Sequence, residues 1–239
     1  MPVAASAHAA DIDFVLWLVH GLMAALFVGW LAYFAWVLYR FRSARQPKAN
    51  PAGATGHLAL GVEVGVVVAE GLLLVVIALP LWFSRTSAPP AEPNTIVIRV
   101  VAEQFAWNVQ YAGRDGRFGA GSPTLISTDN PIGLDRRSPG GRDDIVDLNV
   151  IHVPVDRPVV IQLTSKDVIH SFGVPAMRLK QDVIPGTTSR VWFTPTRPGR
   201  YDIQCSQLCG IGHYRMHGII VVESEAEYEQ YLASAAPAR

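Results

Sequence analysis

Two cysteines in 239 residues is the first scarcity of this sequence. It excludes a small fold stapled by disulfides, which needs more thiols in a shorter chain. Charge is scarce as well: 17% of the residues are Asp, Glu, Lys or Arg, and 20 acids balance 20 bases. That balance argues against a nucleic-acid binder with a broad basic face. Half of the chain is hydrophobic, which argues against intrinsic disorder. No Cys-x-x-Cys-His is present, so this chain attaches no c-type haem. Internal repeats and low-complexity tracts are also absent.

The missing charge is concentrated in two places. Residues 14–39 contain no Asp, Glu, Lys or Arg. As a helix rising 1.5 Å per residue they reach about 39 Å, enough to cross a bilayer with some tilt. A second apolar run, residues 58–84, is interrupted only by Glu63 and Glu70. Two such stretches side by side are hard to bury in a globule of this size, so the reading is a transmembrane helical hairpin over 14–85. The intervening loop carries Arg40, Arg42, Arg45 and Lys48 and no acid, whereas residues 1–13 carry Asp11 and Asp13 and no Lys or Arg. The positive-inside rule then puts the loop in the cytoplasm and both termini outside. For a bacterial chain this means the inner membrane, with the rest of the protein on the periplasmic side. Residues 4–10 end in small residues like the end of a cleaved signal, but no apolar stretch precedes them.

Beyond residue 85 the composition changes. Pro89, Pro90 and Pro93 make residues 86–94 a stiff linker. Residues 95–223 read as short β segments at 95–101, 107–111, 147–153, 158–164, 189–193, 201–204 and 218–222, with Pro185-Gly186 and Pro198-Gly199 as turns. This spacing predicts a β-sandwich or barrel. A stretch rich in Gly, Pro, Asp and Arg over 112–144 is a long loop of the kind that is functional or mobile. Ser224 with Glu227 fits a capping box opening a short helix through Leu232, followed by a tail to residue 239.

The strongest local signal is Cys205-Ser-Gln-Leu-Cys209-Gly-Ile-Gly-His213-Tyr-Arg-Met216, which uses both cysteines of the chain. A further histidine, His170, stands in Lys166-Asp-Val-Ile-His170-Ser-Phe. Two thiols, two imidazoles and a thioether form a soft set that selects copper, zinc or iron over magnesium or calcium. Zinc accepts two Cys and two His at this spacing. The thioether of Met216 favours copper, but a mononuclear blue-copper site has one Cys, two His and a weak Met, and so leaves one Cys over. Two coppers bridged by both thiolates use every residue. The competing reading is a Cys205–Cys209 disulfide in an oxidising compartment.

On these residues the chain resembles subunit II of the haem–copper cytochrome c oxidases, over nearly its whole length. The resemblance implies a two-helix transmembrane hairpin joined to an all-β, cupredoxin-like Greek-key sandwich outside the membrane. It implies a binuclear copper centre, CuA, held by His170, Cys205, Cys209, His213, Met216 and the backbone oxygen of Gln207. It also implies subunit I and the other oxidase subunits as partners, and cytochrome c as the electron donor. Oxygen reduction and proton pumping then belong to the complex, with catalysis in subunit I and no catalytic residue in this chain. The same architecture serves nitric oxide reductases that carry CuA, and a copper-delivery protein is the rival from another class, although delivery needs open ligand positions. Quinol-oxidase relatives lack the copper ligands.

Departures and matches follow from the resemblance. The family's Glu between the two cysteines, which helps hold an interfacial magnesium, is Gln207 here, and an amide is a poorer magnesium ligand than a carboxylate. The aromatic pair at which electrons enter appears as Phe105 and Trp107 in Gln104-Phe-Ala-Trp107. Glu63 stands where the family has a Glu guarding a proton channel, and an ionisable group inside a span is costly enough to suggest function. Asp167 and Asp182 match positions near the metal and the subunit interface. From residue 86 on there are 16 acids and 15 Lys or Arg, so no acidic docking patch shows in the overall charge.

Overall fold

The structure, a computed structural model, describes residues 1–45, 48, 57–87 and 94–237. The linker prolines Pro89, Pro90 and Pro93 lie outside the described residues, as does most of the loop between the two apolar runs. The chain divides into two units, residues 10–87 and residues 1–9 with 88–239.

The helical unit follows from the two charge-poor runs. Helix α1 spans Ala9–Arg40, beginning five residues earlier than the apolar run suggested. Helix α2, His57–Leu72, passes through a π turn at Leu73–Ala78 into α3, Leu79–Thr86. Pro80 explains the irregularity: it has no N–H to continue the hydrogen-bond ladder across that turn. Residues 9–40 and 57–86 are each long and apolar enough to cross a membrane. Glu63 and Glu70 project from α2, and no side chain among the described residues pairs with either.

The other unit is a sandwich of two five-stranded sheets. The strands are β1 (Ile96–Glu103), β2 (Ala106–Tyr111), β3 (Ile145–Leu148), β4 (Val150–Pro154), β5 (Val159–Ser165), β6 (His170–Val174), β7 (Leu179–Val183), β8 (Ser189–Phe193), β9 (Gly199–Cys205) and β10 (His217–Glu223). One sheet has the order β3-β2-β1-β5-β8 and the other β4-β10-β9-β6-β7. The β1–β5 and β4–β10 pairs are parallel and the rest antiparallel, as crossing Greek-key connections require. Alternation drives the packing: Ile98, Val100 and Ala102 of β1 are fully buried while Val97 is exposed. Trp107, Ile151, Ile161, Leu163, Phe172, Phe193, Ile203 and Ile220 fill the space between the sheets.

Two expectations need correction. The run 147–153 is not one strand: Asn149 adopts a left-handed conformation (φ 63°), and the chain leaves the first sheet as β3 and enters the second as β4. Asn149 is tied at that crossing, its side-chain oxygen accepting from the Trp107 N–H at 2.8 Å. Strands β6 and β7 were missed. Their sequences, His-Ser-Phe-Gly-Val and Leu-Lys-Gln-Asp-Val, show no run of alternating apolar residues. Within the 112–144 segment, the buried Asp144 carboxylate accepts from Gln110 Nε2 at 2.5 Å and from the Gly119 N–H at 2.8 Å.

Both ends of the chain pack on the sandwich. Ser6 bridges to Pro195, and its hydroxyl donates to the Met177 carbonyl at 2.8 Å. Helix α4, Glu225–Ala235, has the expected capping box at Ser224 and Glu227 and runs three residues beyond Leu232. It is held by Tyr228, buried in the core, and by Tyr231, whose ring stacks on His152 at 3.9 Å.

Candidate metal centre

Antiparallel pairing brings the ends of distant strands together. His170 opens β6 and Cys205 closes β9, and the Phe172–Cys205 pairing sets them at the same end of the second sheet. The chain then loops from Ser206 to Met216 before β10 returns beside β9. A single turn over His213–Arg215 places Met216 back under the loop.

The donor atoms converge there. Cys205 Sγ stands 3.7 Å from Cys209 Sγ, 4.0 Å from His170 Nδ1 and 3.1 Å from the Gln207 carbonyl oxygen. Cys209 Sγ stands 3.7 Å from both His213 Nδ1 and Met216 Sδ. The thiols are free, and their separation is far beyond the ~2.05 Å of a disulfide. Two sulfurs sharing a tetrahedral ion at about 2.3 Å each are about 3.8 Å apart, close to the spacing seen. His170, Cys205 and Cys209 form a group able to hold a metal ion. His170 is fully buried, Cys209 is 4% exposed and Met216 2% exposed. His213 is half-buried, and the side chain of Gln207 points into the open.

The surroundings suit a cation. Burial, with the neighbouring Cys205, pushes the Cys209 thiol up to about 11. A metal ion between the sulfurs removes that penalty, because a coordinating thiol is held deprotonated. His170 Nε2 donates to Asp167 Oδ1 at 2.8 Å, which turns Nδ1 toward the sulfurs and fixes the tautomer that a metal needs. Partial burial opposes the ionised form of Asp167, but hydrogen bonds from His170, the Gln104 N–H and the Val168 N–H hold its carboxyl below the usual range. Soft sulfur and imidazole donors in a mostly buried pocket fit copper.

The other expected residues fall into two groups. Phe105 lies in the turn between β1 and β2, its ring over Gly210 and Gly212 of the loop after β9. Trp107 is fully buried behind the pocket, 6.1 Å from the His170 ring and edge-on to Phe172 at 5.3 Å. Glu63 belongs to the helical unit, and Asp182 is an exposed residue of β7 paired opposite Ser171. Sequence reading missed the side chain of Gln104, which donates to the Cys209 carbonyl at 2.7 Å. Nothing local marks it, since the two residues are 105 positions apart. Leu208, Ile211 and Tyr214 on the loop surface are 75%, 96% and 85% exposed, an apolar group of the kind that meets another protein.

Residues 96–225 match the family described as cytochrome c oxidase subunit II, periplasmic domain. The alternative cytochrome c oxidase subunit 2 of Bradyrhizobium diazoefficiens is 34% identical across 87% of this chain and 74% of its own length. Cytochrome c oxidase subunit 2 of Cereibacter sphaeroides is 30% identical across 98% of this chain and 77% of its own. The crystal structure of the periplasmic domain of subunit II of cytochrome oxidase from Bradyrhizobium japonicum covers 62% of this chain and 96% of its own, with 29% identity and a TM-score of 0.46.

Proposed function

Because the chain belongs to the cytochrome c oxidase subunit II family, we propose that it takes electrons from a cytochrome c at a binuclear CuA centre and passes them to the haem of subunit I. There oxygen is reduced to water with proton pumping. The observation that carries this reading is the meeting of His170, Cys205, Cys209, His213, Met216 and the Gln207 carbonyl in one pocket at the end of the second sheet. These groups would hold two coppers, which when bound would supply reversible one-electron transfer.

The chain's own residues define what such a site can do. Six protein donors would hold the metals and would leave no position for a substrate, so such a centre would relay electrons and do no chemistry on oxygen. The hydrogen bond from His170 to Asp167 and the packing of Trp107 against that ring hold the ligand still, which keeps the reorganisation on electron transfer small. Phe105, half-buried over Gly210 and Gly212, forms the short way from the surface to the ligand loop, with Trp107 as the inner ring. The Gln207 side chain offers an amide where a magnesium site prefers a carboxylate, so magnesium at the subunit I interface, if held, rests on other ligands. The apolar loop tip at Leu208, Ile211 and Tyr214 fits contact with a partner subunit or donor. The spans sit in the inner membrane with both termini and the β domain in the periplasm, in keeping with the basic loop after α1. Glu63, one and a half turns into α2, guards proton uptake from the cytoplasmic side.

One experiment on the holoenzyme separates these roles. Rapid mixing with reduced cytochrome c is expected to bleach the copper band before the haem bands change. In Glu63→Gln that first phase keeps its rate while proton uptake, followed with a pH dye, slows. Haem reduction ahead of copper reduction contradicts the relay, and equal slowing of both phases contradicts a proton-specific role for Glu63.

A further inference from the structure

Gln104 opens the two-residue turn between β1 and β2, in the sheet that contributes no metal ligand. Both of its N–H groups nevertheless reach the ligand set. The main-chain N–H donates to Asp167 Oδ2 at 2.6 Å, and the other oxygen of that carboxylate, Oδ1, accepts from His170 Nε2 at 2.8 Å. The side-chain Nε2 donates to the Cys209 carbonyl at 2.7 Å. Three hydrogen bonds therefore run His170–Asp167–Gln104–Cys209, joining a ligand on β6 to a ligand in the loop after β9.

The loop needs such a restraint. Cys209 is followed by Gly210, at φ 134°, and Gly212 comes two residues later. Glycines leave the backbone free to move. Both have given up a Cβ to the neighbouring turn: one at Gly212 would overlap the Phe105 ring, and one at Gly210 would come within 2.7 Å of Gln104 Nε2. The turn is thus seated directly on the loop backbone, and the Gln104 amide makes a polar contact with it.

We infer that Gln104 is a positioning residue for the metal ligands: its side-chain N–H clamps the Cys209 peptide and keeps that thiol aimed at Cys205 in the metal-free chain as well as the loaded one. The inference rests on the copper reading of the site for its consequence, but the clamp itself is a property of the polypeptide.

The test uses the full chain in detergent with three variants. Gln104→Met keeps the shape and loses the donor, Gln104→Glu sets an acceptor against the carbonyl, and Gln104→Lys keeps a donor. Outer-shell partners of metal ligands are worth about 10–100-fold in metal affinity, so the Met and Glu variants are expected to lose copper to a copper(I) chelator about 10–100-fold faster than wild type. In the metal-free chain, iodoacetamide is expected to alkylate Cys209 faster in those two variants, with Cys205 little changed. The Lys variant is expected to stay near wild type in both measurements. A Met variant that matches wild type in both overturns the inference, and so does a Lys variant as leaky as Met, because supplying a donor then restores nothing. If wild type takes up no copper yet Gln104→Met still opens Cys209 to alkylation, the copper reading fails and the clamp stands.

Discussion

Cys205→Ser is expected to leave a folded chain that holds at most one copper and shows no electron shared between two metals. Cys205 Sγ lies within reach of Cys209 Sγ, His170 Nδ1 and the Gln207 carbonyl, so it is the atom on which the two halves of the site meet. A serine oxygen sits closer to its own Cβ, does not ionise near neutral pH and is a hard donor, poorly matched to copper beside a thiolate. His217→Ala is the control. His217 neighbours Met216 but its Nε2 contacts Asp202 at 3.0 Å on the exposed side, so the copper spectrum is expected to survive. Electron paramagnetic resonance with metal analysis checks both variants. A Cys205→Ser chain with an intact two-copper signal contradicts the bridging role.

Trp107→Ala is expected to give the largest loss of stability among single changes near the site. The side chain is fully buried between the sheets, with Phe172 edge-on at 5.3 Å and His170 at 6.1 Å. Truncating a buried Trp costs about 3–5 kcal/mol through lost burial and the cavity left behind. At roughly 2–4 °C per kcal/mol for a domain of this size, the melting temperature of the β domain falls by about 10 °C. Trp107→Phe is expected to lose much less: it keeps a ring against Phe172 and removes an indole N–H that has no partner among the described residues. Thermal melts followed by circular dichroism give both values. If Trp107→Phe melts like wild type but accepts electrons slowly from cytochrome c, the indole carries electrons as well as packing the core.

Five of the six proposed donors stood out because they fall in twelve consecutive residues, 205–216, that use both cysteines of the chain, whereas His170 stands apart in the sequence. The two helices were legible because a long run without charge has few other places to go. What stayed hidden depends on contacts across the fold. The run 147–153 has the apolar content of one strand, and only the left-handed Asn149, tied to Trp107, splits it between two sheets. Strand β6 has no alternation because all five of its residues are buried, packed on both faces. The same pairing that hides it as a strand sets His170 opposite the end of β9. In the sequence Gln104 is only the first residue of the aromatic stretch Gln104-Phe-Ala-Trp107; its contact with the Cys209 carbonyl exists only once the first sheet is laid over the second. Asp167 is the intermediate case, since its place three residues before His170 came from the resemblance, while its grip on Nε2 is visible only in the folded chain.

The most direct measurement is the copper content of the full-length chain, purified in detergent and loaded under reducing conditions, read together with its electron paramagnetic resonance after one-electron oxidation. Two coppers per chain with a single unpaired electron split by both nuclei is the expected result. One copper per chain with the hyperfine pattern of a single nucleus, or a site that retains zinc in preference, contradicts a binuclear centre built from Cys205 and Cys209.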